Sequence, residues 1–293
     1  MLLAVPNFSE GRDDATIAAI EAAFAQAPGV ALLDLHRDPD HNRCVFTLAA
    51  TGGPGALAHA LLAGARVAVE RIDLGAHEGV HPHVGALDVA PIVYRSEAER
   101  GSACAEALLL GDLLARHLEL PVFLYGILAQ GRTRAQLRRG GPAELARRIA
   151  AGELEPDFGP PRTHPSAGAT LVAARSPLVA FNVTLRPPAS LERAREIAAL
   201  IREGGPEGLP GLRAIGLRLE RQQEIQLSMN VERPDETPLA RVIAAIERHA
   251  PVAAAELVCL APRAAFAGFP PDLPLPGFDP DKHLIENALD QLT

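Results

Sequence analysis

Hydrophobic residues in the first third of the chain alternate over short runs and recur at helical spacing over longer ones. Alternation is typical of strands and spacings of three and four are typical of helices. In chain order these runs predict a strand, a helix, two strands that form a hairpin, a helix and a strand, which is the ferredoxin-like β-α-β-β-α-β arrangement. A further helix and a strand extend the set. The runs are LLAVPN, DDATIAAIEAAFAQA, PGVALLDL, RCVFTLAA, GPGALAHALLAGARVAVERI, GALDVAPIVYR, EAERGSACAEALLLGDLLARHL and PVFLYG.

The same order of elements is predicted a second time after Ser176. The predicted fold class is therefore α+β, with two tandem ferredoxin-like subdomains, residues 1–174 and 175–293, and a ligand groove between them. The segment from Gly131 to His164 is rich in Arg, Gly and Pro and is predicted to cross from one half to the other. The second set of runs is PLVAFNVTL, ASLERAREIAALIREGG, LRAIGLRLE, EIQLSMNVE, TPLARVIAAIERHA and VAAAELVCL.

Composition narrows the class of protein. A content of 48% hydrophobic and 22% charged residues is typical of a globular protein, and a net charge of −8 argues against nucleic acid as a partner. The most apolar region is interrupted by charged residues and a proline, and the N-terminus lacks the pattern of a signal peptide. We therefore expect a cytoplasmic protein without a membrane partner.

Two smaller features carry weaker predictions. The three cysteines, Cys44, Cys104 and Cys259, are far apart and give neither a disulfide framework nor a zinc ribbon. The basic stretch RTRAQLRR, from Arg132 to Arg139, is interpreted as a solvated helix face.

Three of the ten histidines lie in HEGVHPHVGALD, residues 77–88. A metal site would use His77, His81 and His83 with Asp73 or Asp88. Gly79 and Pro82 disrupt the helix that would bring the first two histidines to one face. An acid/base site needs one histidine, which titrates near neutral pH. His81 is the best candidate because the proline fixes the backbone directly after it. Histidines that only bond to loop carbonyls are the third interpretation.

Two further stretches are candidates for ligand contact. In PNFSEGR, residues 6–12, Asn7 and Ser9 offer an amide and a hydroxyl to an anionic ligand, or else cap the following helix. The proline-rich DFGPPRTHPSAGAT, residues 157–170, is either a linker or the lining of a ligand groove.

In this order, these stretches resemble the formiminotransferase domain of the formimidoyltransferase-cyclodeaminase family. The resemblance extends from Leu3 to about Leu289, and its combination of short motifs is specific. It implies two ferredoxin-like subdomains in tandem, which agrees with the hydrophobic pattern. The motifs are VPNFSEGR, DHNRCVFTLAATG, RIDLGAHEGVHPHVGALDVAPIV, EPDFGPPRTHPSAGAT, LVAFNVTL, IGLRLERQQEIQLSMNV and ELVCLAPRAAF.

The resemblance implies a glutamate formimidoyltransferase activity: transfer of the formimino group from N-formiminoglutamate to tetrahydrofolate, in histidine degradation and one-carbon metabolism. It places the catalytic acid/base at His81 in the N-terminal subdomain. Tetrahydrofolate is the expected co-substrate. The expected folate-binding residues are Gly159, Pro160, Pro161, Arg162, Thr163, His164, Pro165, Ser166, Ala167 and Gly168.

Both substrates carry carboxylates, so positive potential is expected at the site. From their positions near the motifs, the expected substrate-binding residues are Asn7, Ser9, Arg43, His83 and Arg175. No resident metal is expected. We expect a homodimer, and a separate cyclodeaminase as a further partner, because the chain has no room for that domain.

Two departures from the family pattern leave alternatives open. His83 stands where the family usually has an arginine, and Ala167 stands where an aromatic residue can occur. A folate-binding or accessory protein with altered or lost transferase activity is therefore one alternative. A metal-dependent hydrolase built on His77, His81 and His83 is the other.

Overall fold

The computed structural model describes residues 1–292, which form two compact units, Met1–Ser176 and a second that begins at Pro177. The strands of the first unit are β1 Leu3–Ala4, β2 Asn7–Phe8, β3 Val30–Asp38, β4 Arg43–Ala50, β5 Leu87–Val93, β6 Val122–Leu124 and β7 Thr170–Arg175. Its helices are α1 Asp14–Ala25, α2 Ala56–Arg71, α3 Arg100–Leu118, α4 Arg134–Arg138 and α5 Gly141–Ala150. The assignment of residues 1–174 and 175–293 to two functional subdomains stays a prediction.

The first unit contains one seven-stranded sheet. β1 and β2 lie in succession between β4 and β5, and β3 pairs with the other side of β4, all antiparallel. This part is the predicted ferredoxin-like order, and the predicted β3–β4 hairpin is confirmed. β7 pairs parallel to β5, and β6 pairs parallel to β7. The starts of these three parallel strands therefore lie at one edge of the sheet.

One face of this sheet is covered by α1, α2 and α3 through a continuous apolar core. Three fully buried rings form its centre: Phe8, Phe24 and Phe46, with ring centroids 5.1–6.1 Å apart. Edge-to-face and tilted rings at these distances add to the stabilisation from their buried area. The apolar spacing of the sequence predicts these faces correctly.

The opposite face of β6 and β7 is covered by α4 and α5, which bury Leu137, Leu145 and Ile149 against the sheet. The chain then returns as β7 to the first sheet. The prediction that residues 131–164 cross between the halves is therefore wrong. Leu137 on α4 and two side chains four positions apart on α5 hold this segment on the first unit. The surrounding Arg, Gly and Pro residues obscure these few apolar positions in the sequence.

Residues 84–86 and 167–169 run side by side just before β5 and β7. Ala86 N–H donates to Ala167 O over 2.9 Å, and Ala169 N–H donates to Val84 O over 2.9 Å. Gly85 forms a bridge with Gly168 here. A Cβ on Gly85 would lie 1.9 Å from the carbonyl oxygen of Ala169, so the two segments meet with no room for a side chain.

We expect Gly85→Ala to lower the free energy of unfolding by about 1–3 kcal/mol, because the added methyl group forces these two segments apart. Urea unfolding of both proteins measures the loss. Gly53→Ala is the matched control, because a Cβ there meets nothing within 4 Å. Equal stability of the two variants would contradict the close packing described here.

The second unit is a four-stranded antiparallel sheet with strand order β11-β8-β10-β9, where β8 is Val179–Leu185, β9 Leu212–Leu219, β10 Glu224–Val231 and β11 Val252–Val258. The connecting helices are α6 Leu191–Ile201 and α7 Leu239–Glu247, and both pack on the apolar core of the sheet. This is the second predicted β-α-β-β-α-β set, and its β9–β10 hairpin is confirmed. Two short helices, α8 Pro280–His283 and α9 Ile285–Asp290, follow.

Within residues 1–292, none of the helices combines the length and the apolar character that a membrane span requires.

Candidate active site

The histidine loop, residues 77–86, lies against a tight turn formed by residues 38–42. The Asp38 carboxylate holds this turn by accepting the N–H groups of Asp40 at 2.7 Å and His41 at 2.9 Å. The Asn42 side chain accepts the N–H of Gly11 at 2.9 Å and donates to Glu78 O at 3.2 Å. The turn is therefore tied both to the N-terminal segment and to the histidine loop.

The loop and the turn also meet through their backbones. Val80 N–H donates to Asp40 O over 3.2 Å, and His77 Nε2 lies 3.0 Å from Asn42 O. A Cβ on Gly79 would lie 2.4 Å from His41 O, so this glycine permits the contact. The histidine loop is thus seated on the turn by several independent contacts.

Four histidines come together here as two ring pairs. The rings of His41 and His81 have centroids 5.7 Å apart at 33°, and those of His77 and His83 have centroids 4.1 Å apart at 57°. His83 Nδ1 also lies 3.3 Å from the carbonyl oxygen of His81. His81 is half-buried, and its Nδ1 is enclosed without a hydrogen-bond partner.

Beside the histidines lies an ion-pair cluster with one carboxylate and two guanidinium groups. Asp88 at the start of β5 is 0% exposed, and it accepts from Arg43 at 2.7 Å and from Arg138. Its other oxygen accepts the N–H of Val84 at 2.9 Å. Arg43 also donates to Asn7 Oδ1 at 3.0 Å. The cluster therefore carries one positive charge in excess.

Asp88 and the two arginines stabilise each other's charged forms through their opposite charges. Burial would raise the pKa of Asp88, but Arg138 and Arg43 outweigh it and hold that pKa below its ordinary value. Burial lowers the pKa of Arg138 to about 10, so this guanidinium remains protonated at neutral pH. The interpretation of Arg132–Arg139 as a solvated helix face is wrong at Arg138, because Asp88 compensates for the cost of burying this cation.

The pKa of His81 lies well below its ordinary value, first because of burial and then because of the nearby cations Arg43 and Arg138 and the ring of His41. Burial also lowers the pKa of His77. His81 is consequently neutral at neutral pH and is a proton acceptor.

These two depressed values predict a pH dependence of stability. In the unfolded chain both imidazoles take up a proton below their ordinary pKa of about 6.5, whereas in the folded chain they resist it. The unfolded state therefore binds more protons in acid, and stability falls as pH drops from about 7.5 towards 5. We expect the double variant His77→Gln/His81→Gln to lose less Tm over this range than the wild type, as measured by calorimetry. An equal loss would contradict the depressed pKa values.

The predicted substrate-binding residues lie in different places. Arg43 belongs to the ion-pair cluster, and Asn7 accepts a hydrogen bond from it and donates to Val5 O at 2.8 Å. His83 lies outside that cluster, against the ring of His77. The Ser9 hydroxyl donates to Gly85 O at 2.7 Å, so it anchors the end of the histidine loop. Arg175 pairs in register with Val93 at the far end of β5, about 13 Å along the strand from the first pair of this ladder. The structure does not bring Arg175 to the cluster.

The second half of the predicted folate stretch lies directly beside the histidine loop. His164 and Gly168 exchange backbone hydrogen bonds of 2.8 and 3.1 Å, which close a tight turn. Ser166 O accepts the N–H of Leu74 at 2.9 Å, which ties this turn to the segment before the loop. Ala167 is 1% exposed and packs in the core, so this position offers no stacking surface.

The first half of that stretch lies beside the segment between α3 and β6. Gly159 packs against Leu120 O, and exposed Arg162 lies 3.4 Å from Glu119. Pro161 and Pro165 are exposed, whereas Pro160 and Thr163 are half-buried. Because β5, β6 and β7 start at one edge, the whole stretch is at the same edge as His81.

Across residues 1–292, no three His, Cys, Asp or Glu side chains are arranged to hold a metal ion. The hydrolase alternative with His77, His81 and His83 as metal ligands therefore has no support from the geometry.

Sequence reasoning missed three members of this site. His41 stands in the DHNR motif, Asp88 was considered only as a metal ligand, and Arg138 was assigned to the solvent. The two fixed charges of opposite sign are 50 positions apart, so their pairing depends on how α4 folds back on the sheet. A signal for His41 was present in its short spacing from Asp38, which is typical of a side-chain-stabilised turn.

Comparison with known proteins identifies the class to which this fold and site belong. Residues 1–175 match the model of the formiminotransferase domain, N-terminal subdomain, and residues 180–268 match that of the formiminotransferase domain. The chain belongs to the formiminotransferase family.

Curated relatives cover nearly all of the chain. It is 35% identical to a glutamate formimidoyltransferase of Streptococcus pyogenes serotype M1, over 97% of both chains. It is 33% identical to one of Thermoplasma acidophilum, over 97% of this chain and 89% of the other. The mouse formimidoyltransferase-cyclodeaminase is 39% identical over 88% of this chain and 49% of its own length. The chain thus spans about half the length of the fused relatives.

Proposed function

We propose that this chain is a glutamate formimidoyltransferase, which transfers the formimino group from N-formiminoglutamate to tetrahydrofolate. One observation carries the proposal: a neutral histidine, His81, has an enclosed nitrogen without a partner, beside a cluster with an excess of positive charge. The names of the two full-length relatives support the same activity.

The charge of the cluster suits the substrates. N-formiminoglutamate carries two carboxylates, and folate ends in glutamate carboxylates. Arg43 and Arg138 share only one carboxylate, that of Asp88, so an incoming anion meets uncompensated positive charge. Guanidinium groups bind carboxylates through paired hydrogen bonds, which gives orientation as well as attraction.

His81 acts as the acid/base. Attack by a folate nitrogen on the amidine carbon supplies the new carbon–nitrogen bond. Neutral His81 accepts the proton of the attacking nitrogen and then donates it to the departing glutamate nitrogen. One proton is taken up and returned, so His81 ends the cycle in its starting state. Burial lowers the pKa of His81 and so favours the neutral imidazole, which is the form that accepts the proton.

The residues from Gly159 to Gly168 fit a folate at this edge of the sheet. The closed turn from His164 to Gly168 fixes one end beside the histidine loop, and Arg162 is exposed to meet a carboxylate. Phe158 packs on Gly111, where a Cβ would lie 2.8 Å from the ring, so it is not a free stacking surface. The proline rings and the backbone of this stretch are therefore the groups that would hold the pterin.

A folate-binding protein without transferase activity is the second candidate. The observation that favours it concerns His83, which stands where the family usually has an arginine. His83 packs on the ring of His77 and does not provide a permanent cation. Equilibrium binding of tetrahydrofolate and a turnover assay with N-formiminoglutamate separate the two. Binding with turnover supports the transferase, whereas binding without release of glutamate supports the accessory protein.

We further propose that the protein acts as a homodimer in the cytoplasm, and that a separate cyclodeaminase consumes its product. The fused relatives carry both names in one chain, and this chain spans only their transferase half in length. Size-exclusion chromatography with light scattering tests the dimer. A mass near 30.9 kDa at micromolar concentration would contradict it.

A further inference from the structure

His41 lies beside His81, with ring centroids 5.7 Å apart, and was not among the predicted site residues. It is 6% exposed, and its Nε2 is enclosed without a hydrogen-bond partner. Burying such a nitrogen without a partner destabilises the fold unless another contact or a role in the site offsets it. His81 Nδ1, His77 Nδ1 and Arg138 Nε are likewise enclosed without a hydrogen-bond partner.

The chain holds His41 firmly. Its N–H is bonded to Asp38 Oδ1 at 2.9 Å, and its carbonyl oxygen lies against Gly79. The next residue, Asn42, has a positive φ of 47° and is bonded on both sides through its side chain. The imidazole of His41 is therefore presented to His81 from a rigid turn.

We propose that His41 is a positioning residue for His81: its buried ring fixes the orientation of the His81 imidazole and shields it from water, which keeps it in the neutral form that accepts a proton. This proposal rests on the proposed function, since it assigns a role within the same proton transfer. His41 acts through His81 and exchanges no proton with the substrate.

The groups that face His81 come from three elements: Arg43 from β4, Arg138 from α4 and His41 from the turn. Both cations share Asp88 as their counter-ion, and their positions are fixed by it. Substitution at His41 therefore changes the burial of His81 while the charged groups stay in place. The pair of rings is the part of the site that a single substitution can test separately.

His41→Ala and His41→Phe form the matched pair for the test. Alanine opens the site to water and removes the ring contact, so we expect kcat to fall roughly 10- to 100-fold with little change in KM. The acid limb of the pH–rate profile moves to higher pH, because the pKa of His81 rises when its burial is relieved. Phenylalanine keeps the ring and the burial, so the limb stays in place and most of kcat is retained.

A titration of the His81 imidazole by NMR, in the wild type and in both variants, measures the same change in the pKa of His81 without turnover. If the wild type transfers no formimino group, the proposed function fails, yet the titration still shows whether His41 controls His81. A profile and a titration that are unchanged in His41→Ala would overturn the proposal, as would equal behaviour of the two variants. If His41→Ala does not fold, His41→Asn replaces it in the same comparison.

Discussion

Replacing His81 with alanine is expected to lower kcat for formimino transfer by roughly 100- to 10,000-fold, the range for loss of a general acid/base. In the proposed mechanism, the imidazole of His81 accepts a proton in the first half of the reaction and returns it in the second. Steady-state kinetics with N-formiminoglutamate and tetrahydrofolate measure the loss. Affinity for tetrahydrofolate, measured by calorimetry, is expected to change by less than about threefold.

His59→Ala is the control, because this exposed histidine lies on α2. It should retain wild-type turnover. If His81→Ala kept turnover within a few-fold of the wild type, the assignment of His81 as acid/base would be wrong.

The largest effect on stability is expected at Asp88. Its replacement by alanine leaves Arg43 and Arg138 buried together without their shared counter-ion. Removing one partner of a buried ion pair typically costs about 3–5 kcal/mol. Denaturant unfolding of Asp88→Ala should show a loss of this size, and addition of chloride or another small anion should recover part of it.

Asp112→Ala provides the matched control, because Asp112 forms a solvent-accessible pair with Arg116 on α3 at 2.8 Å. An exposed pair of this kind contributes about 0.3–0.5 kcal/mol. Similar losses for the two aspartate variants would show that the buried cluster does not have the role described for it.

The sequence predicts most of the fold because its strands and helices have clear periods. RCVFTLAA is a strand over its whole predicted length, Arg43–Ala50, and both hairpins were predicted from runs separated by short polar turns. The prediction failed where apolar residues were sparse. Leu137, Leu145 and Ile149 are isolated among charged residues, and only their burial on the sheet shows that α4 and α5 belong to the first unit.

The candidate site could be predicted from the sequence only in part. The loop holds three histidines, and the position of His81 directly before Pro82, together with the family resemblance, made it the candidate acid/base. Its surroundings depend on contacts between segments far apart in the chain. Asp88 is buried by Arg43, 45 positions earlier, and by Arg138, 50 positions later. No local pattern carries such a pairing, because charges that neutralise one another in the interior look like surface charges in the sequence.

The most direct test of the central claim follows the formimino carbon itself. N-Formiminoglutamate labelled with ¹³C at that carbon is incubated with tetrahydrofolate and the purified protein, and the products are analysed by mass spectrometry. We predict that the label appears on the folate in step with the release of glutamate, with the wild type and not with His81→Ala. Label that stays on glutamate, or that leaves as a hydrolysis product without reaching the folate, would contradict the account.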